Sequence, residues 1–185
     1  MKFIQSFVTS FGIGVPIIIL WIILSFFAPR FFTLTNFGNL SIQFAIIGAL
    51  AIGSTAVIIC KEIDLSIGAI EGFCAVIAAI ACVNFGISWP LSIIIAISSG
   101  ALVGALNGSL VAIVGIPSFV VTLGSLGIVS GISLLISKGR SIYGFPEAYQ
   151  WIGQGELFYI KSPMLFTGLL LIIMHIILKK TIFGL

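Results

Sequence analysis

The chain has 185 residues, of which 60% are hydrophobic and 7% charged, with a formal net charge of +3. Its mean hydropathy is +1.34. A soluble domain carries roughly a quarter charged residues, so this composition excludes an ordinary water-soluble domain, and cations this few and scattered exclude a nucleic-acid-binding face.

The predicted elements are six membrane spans of an all-α, polytopic helical bundle, read as one transmembrane domain over 1–185. From Gly72 to Ser137 no side chain is charged. At about 20 helical residues per crossing, that stretch alone must traverse a bilayer about three times. The first span is expected over about 11–28, with Pro16 tolerated in its first turns. It is too long for a signal-peptide apolar region, and Pro29-Arg30-Phe31-Phe32 is not a small-residue cleavage site. The second span is expected over about 40–60, after a polar approach Thr33-Leu34-Thr35-Asn36. A charged knot, Lys61-Glu62-Ile63-Asp64-Leu65-Ser66-Ile67-Gly68, then makes a tight hairpin into a third span over about 65–83. Asn84 to Ser88 forms a turn. Trp89-Pro90 opens the fourth span, about 89–114, at an interface-like position. Gly115-Ile116-Pro117 breaks the chain before a fifth span over 118–137. A polar loop runs from Lys138 to Ser162, and the sixth span covers about 163–178. With the N-terminus inside, four cations (Lys2, Lys61, Lys179, Lys180) face four outside (Arg30, Lys138, Arg140, Lys161), so charge alone leaves orientation open.

Polar groups within spans need a reason, because a charge at the bilayer centre costs about 2.5–3.5 kcal/mol on insertion scales. Asp64 precedes a helix and can accept from the free N–H groups of Ser66 or Ile67; the alternative is contact with a partner or a moving gate. Glu71, seven residues on, falls on nearly the same helical face about 10 Å deeper. It sits near an interface, faces a polar cavity or is protonated. Gln43, Asn39 and Asn107 are amides that either bond across helices or line a path for a hydroxyl-rich solute. Gly100, Gly104 and Gly108 recur at four-residue spacing, as close helix packing requires. Cys60, Cys74 and Cys82 have no Cys-x-x-Cys spacing and read as small apolar packers; His175 stands alone, so no metal site is expected. No Gly-x-Ser-x-Gly, His-Glu-x-x-His or Walker-type loop occurs, so no catalytic residues are named and energy must come from another chain or an ion gradient.

The segment Ile63-Asp64-Leu65-Ser66-Ile67-Gly68 resembles the Ile-Asp-Leu-Ser-Val-Gly of permease subunits in bacterial ATP-binding-cassette importers for simple sugars, the ribose/xylose/galactoside branch. Pro29 to Asn36, Gly104-Ala105-Leu106-Asn107-Gly108, Ile116 to Gly124, Ser137 to Ile142 and Thr181-Ile182-Phe183-Gly184 resemble that branch in the same order. The related amino-acid permeases carry an Asn-Phe-Ala-type sequence at Asp64-Leu65-Ser66, which favours a sugar. The chain departs from the pattern at Lys61-Glu62, where two glycines are usual, and at Ser130, where arginine is frequent. The resemblance implies a non-enzymatic, multi-pass permease of the bacterial inner membrane with a cytoplasmic N-terminus, moving a pentose or hexose by alternating access. Its implied partners are a second permease chain, identical or related, a periplasmic sugar-binding protein and cytoplasmic ATPase subunits that bind ATP and Mg. Family members have about ten spans, so the resemblance also implies a fragment ending before the cytoplasmic coupling helix, which as it stands cannot transport even with its partners. A gradient-driven secondary transporter using Glu71, or a non-functional permease remnant, remains the alternative.

Overall fold

The structure is a computed structural model that describes residues 14–181; the start of the expected first span, Lys2 and the motif residues Ile182 to Gly184 lie outside the described residues. The elements are α1 (Gly14–Phe27), α2 (Leu34–Ile59), α3 (Ile67–Ala79, prolonged by a π-helical turn over Ile80–Asn84), α4 (Trp89–Ala112), α5 (Ser118–Ser137), α6 (Glu147–Gln154), β1 (Glu156–Leu157), β2 (Ile160–Lys161) and α7 (Ser162–Lys180). Five helices among the described residues are long and apolar enough to cross a membrane: α2, α3 with its π turn, α4, α5 and α7. The chain is a polytopic helical membrane protein.

The chain divides into two compact units, residues 1–41 and 42–185. In the first unit, α2 begins at Leu34 rather than Leu40 because Thr33 caps it. The Thr33 hydroxyl accepts from the Asn36 N–H at 3.2 Å, and the Asn36 amide donates to the Phe31 carbonyl at 2.8 Å. The stretch read as a polar approach is therefore the helix's first turn. The aromatic rings of Trp21 and Phe31 meet edge to face, with centroids 5.7 Å apart.

In the second unit, α3, α4 and α5 pack around an interior of small side chains. Ala78, Ala79, Ala81, Cys82, Ala96, Val121, Val129, Ser92, Thr122 and Ser125 are buried, whereas Ile94, Leu102, Ile128 and Leu135 stand outside. That distribution is the reverse of a soluble core. Lipid tails are as apolar as leucine, so helices gain by close backbone approach rather than by hiding large side chains. The π turn closes with the Phe85 N–H on the Ile80 carbonyl at 3.1 Å, which carries α3 past Val83 before the turn at positive-φ Gly86. The Thr167 hydroxyl of α7 donates to the Ala45 carbonyl at 2.9 Å, holding α7 against the part of α2 within this unit. The connection expected as a polar loop contains α6 and a two-stranded hairpin in which Glu156 pairs with Lys161 and Leu157 with Ile160.

Candidate functional site

The knot has no regular structure between Lys61 and Ser66, so its backbone groups need partners from elsewhere. Lys61 closes α2 in the left-handed region, φ 62°, with the Glu62 N–H on the Val57 carbonyl at 3.2 Å and the Lys61 N–H on the Ile58 carbonyl at 2.9 Å. This is a Schellman-type end, in which glycine is preferred because a Cβ is strained there. Lys61 therefore keeps the turn with a Cβ in place and accepts the strain.

Asp64 Oδ1 accepts twice from Ser66, at 2.7 Å from its N–H and 2.6 Å from its hydroxyl. Ser66, fully buried, takes a further bond at its Oγ from the Asn107 amide of α4 at 3.1 Å; Asn107 is only 8% exposed. On the next residue back, the Ile63 N–H donates to the Ser118 hydroxyl at 3.2 Å, and the Thr122 hydroxyl donates to the Ile63 carbonyl at 3.4 Å. Thus the knot is tied to the C-terminal part of α4 and to the first turns of α5. Bonds between buried polar groups in a membrane bundle hold helices in register, because in lipid no water replaces a lost partner.

A cleft of about 590 Å³ opens at this junction, lined among others by Glu62, Asp64, Asn107, Ser118, Thr122 and the glycines 104 and 108. No Lys, Arg or His is among its lining residues. Two carboxylates, an amide and two hydroxyls can take hydroxyl donors of a neutral solute and would repel an anion. No three His, Cys, Asp or Glu side chains gather to hold a metal among the described residues.

The sequence-derived candidates scatter. Asp64, Ser66 and Asn107 come together, and Ile63 lies beside them with Leu65 exposed next to it. Gly68 sits in the first turn of α3 with open space where a side chain would be. Glu71 does not share a helical face with Asp64, because α3 begins only at Ile67. It is exposed and makes no ion pair among the described residues. Asn39 lines a groove of about 760 Å³ in the first unit with Arg30 and Asn36. Gln43, in the second unit, is exposed and lines none of these cavities. Of the glycine row, only Gly100 lies at a close approach, where an added Cβ would come within 2.6 Å of Cys74 Sγ; at Gly104 and Gly108 it would meet open space. Four-residue steps rotate about 40° around a helix, so such a row leaves a crossing point within two turns. Ser118 and Thr122 were not singled out from the sequence; their position just after Pro117, at the start of a helix facing the knot's free backbone, is the signal that could have found them.

A protein-family model described as "Branched-chain amino acid transport system / permease component" matches residues 36–185. The chain belongs to this family. Its curated relatives include the autoinducer 2 import system permease protein LsrC of Yersinia pestis (strain Pestoides F), 35% identical over 184 residues that cover 100% of this chain and 52% of the relative. The protein of the same name from Yersinia enterocolitica is 35% identical over 189 residues, with the same coverage of both chains. That of Yersinia pseudotuberculosis serotype O:3 is 34% identical over 184 residues, again covering 100% and 52%. The chain spans about half the length of these relatives. No solved structure matches.

Proposed function

We propose that the chain is the membrane-spanning permease part of an ATP-driven importer for a small, neutral, hydroxyl-rich solute, a simple sugar of the pentose or hexose class, in the bacterial inner membrane with its N-terminus cytoplasmic. The observation that carries this reading is the cleft at the knot. Hydroxyl, amide and carboxylate groups gather there at the ends of three spanning helices, with no cation among its lining residues. Family membership supports a permease role, and the relatives named for autoinducer 2 import make that compound a second substrate to test.

In this reading a second permease chain completes the path, a binding protein delivers solute from the periplasm, and ATPase subunits bind ATP and Mg on the cytoplasmic side. The chain itself supplies no catalytic group. Alternating access then requires the knot to move with the ends of α4 and α5, since bonds from Asn107, Ser118 and Thr122 reach it. The test is uptake by right-side-out membrane vesicles, loaded with ATP, that carry the permease containing this chain with its ATPase inside and its binding protein outside. ATP-dependent accumulation of a labelled pentose, hexose or autoinducer 2, but not of leucine, is expected. Accumulation that follows a proton or sodium gradient without ATP, or that takes leucine alone, would overturn the proposal.

A further inference from the structure

We propose that the connection from α5 to α7 is a membrane-surface anchor, seated in the lipid headgroup layer through Tyr143, Trp151, Phe158 and Tyr159. The inference rests on the spanning helices and not on the choice of solute, so it stands or falls apart from the reading above.

All three tyrosines of the chain, at 143, 149 and 159, and one of its three tryptophans lie in this single connection. Tyr143, Trp151, Phe158 and Tyr159 are 79%, 46%, 86% and 93% exposed. Rings with an apolar body and a polar tip settle where hydrocarbon meets water, which is why Trp and Tyr collect at both membrane interfaces. The connection is held at that level from both sides. It leaves α5 at Ser137 and enters α7 at Ser162, both membrane-spanning helices. The buried Ser162 hydroxyl, in the first turn of α7, donates to the carbonyls of Trp151 at 2.6 Å and Ile152 at 3.0 Å. The end of α6 is thereby fastened to the mouth of α7, and the Ser162 N–H fastens Gly155 at 2.9 Å.

The hairpin tip adds a second, independent sign. Phe158 and Tyr159 form its two-residue turn with φ 49° and 65°. Such a turn favours asparagine and glycine, and bulky side chains there are strained. The chain nevertheless places two rings at its most projecting point. Charge does not favour a charged soluble partner, because Lys138, Arg140 and Lys161 are nearly balanced by Glu147 and Glu156, and Lys161 is paired with Glu156 at 2.7 Å.

The test uses the full chain in phosphatidylcholine vesicles, with Trp21→Phe and Trp89→Phe so that Trp151 alone emits. Lipid brominated near the top of its acyl chains is expected to about halve Trp151 emission, more than lipid brominated mid-chain, while aqueous acrylamide quenches weakly. The same reading is obtained without altering Trp21 or Trp89, as the difference between the unsubstituted chain and its Trp151→Phe variant. Tyr159→Trp in a chain with Trp21, Trp89 and Trp151 all replaced by Phe reports the hairpin tip separately and is expected to show the same shallow profile. Strong acrylamide quenching with no effect of brominated lipid at both positions would overturn the anchor and leave a water-facing surface suited to a soluble protein. Equal quenching by mid-chain bromine would also overturn it, since the segment would then lie in hydrocarbon.

Discussion

The two ends of the second unit handle polar groups in opposite ways. At the knot, Asp64, Ser66, Asn107, Ser118 and Thr122 turn toward one another and bind separate helices together. At the other end, the connection from α5 to α7 bonds mainly within itself and to the first turn of α7, and sends its aromatic rings outward. The spanning helices between them are predominantly apolar. In such a bundle the connections carry the chemistry: one sets helix register and shapes a cleft, the other meets the surroundings. Substitutions at the knot end should therefore act on stability and transport together, whereas those at the aromatic end should leave the bundle folded.

The largest effect is expected midway along α4, where Gly100 lies against side chains of α3. Gly100→Val would drive methyl groups into Cys74 Sγ and Ile70 Cγ2, which lie 2.6 and 3.5 Å from the site of a Cβ. Overpacking of this kind costs about 2–3 kcal/mol. Thermal unfolding in detergent should show the loss, and Cys74→Ala should partly restore Gly100→Ala. Gly104→Ala and Gly108→Ala, which meet open space, should stay near the parent. A similar loss at all three positions would show that the row packs as a whole.

Next come the bonds of the knot. Asp64→Ala removes the acceptor of two bonds from Ser66, and Asn107→Ala removes the donor that joins α4 to it. Each should cost about 1 kcal/mol, the scale of polar pairs between membrane helices. Asp64→Asn keeps a carbonyl oxygen where Oδ1 accepts, so it should hold stability while removing the charge from the cleft. If Asp64→Asn also keeps uptake, the carboxylate acts through geometry; if it folds but stops uptake, the charge serves the solute. A double substitution of Asp64 and Asn107 should cost less than the sum of the two, because both act through Ser66.

How much of this was legible before the structure follows from the same physics. The knot stood out because charge is expensive beside a span, and the bond from the Ser66 N–H to Asp64 is local enough to read from spacing. Its partner Asn107 lies 41 residues away, and no sequence periodicity links them. In a soluble helix the apolar stripe would have pointed to the buried face. Here every face is predominantly apolar, so Glu71, Gln43 and Asn39 could be recognised as unusual without being placed. The start of α2 at Leu34 rather than Leu40 has a simpler reason: Thr33 is a helix-capping residue type, and its hydroxyl takes the Asn36 N–H, so the polar stretch is the helix's own first turn. The short α6 and the hairpin were not read because the connection's turn, Phe158-Tyr159, contains none of the residues that normally announce one.

A smaller, opposite-signed effect is expected at Lys61. Its left-handed backbone is strained for any residue with a Cβ. Lys61→Gly relieves that strain and adds some freedom to the unfolded chain, for a net gain of about 0.5–1 kcal/mol. Lys61→Ala should gain nothing, because it keeps the Cβ. Equal stabilisation by both would place the effect in the lysine charge rather than in the backbone. The parallel change at Lys138, which ends α5 at φ 55°, should behave alike.

The smallest effect separates the two ends by pH. Tyr149 of α6 stacks on Phe145 with ring centroids 4.8 Å apart, and burial, with Cys82 nearby, pushes its hydroxyl above the usual 10.0. A raised folded value means that folding favours the neutral phenol. The stabilising contribution is therefore complete below the unfolded value, and it is lost as pH rises through 10.0 and on through the higher folded value. Unfolding of the parent should thus become easier above about pH 10, and Tyr149→Phe should remove that part of the decline while changing little at neutral pH. Because α6 is fastened to α7 through Ser162, the loss should appear first as faster amide exchange in residues 147–155, before the knot end responds. Simultaneous loosening of both ends would mean that the unit opens as one body, and the contrast between its ends would then be one of chemistry alone.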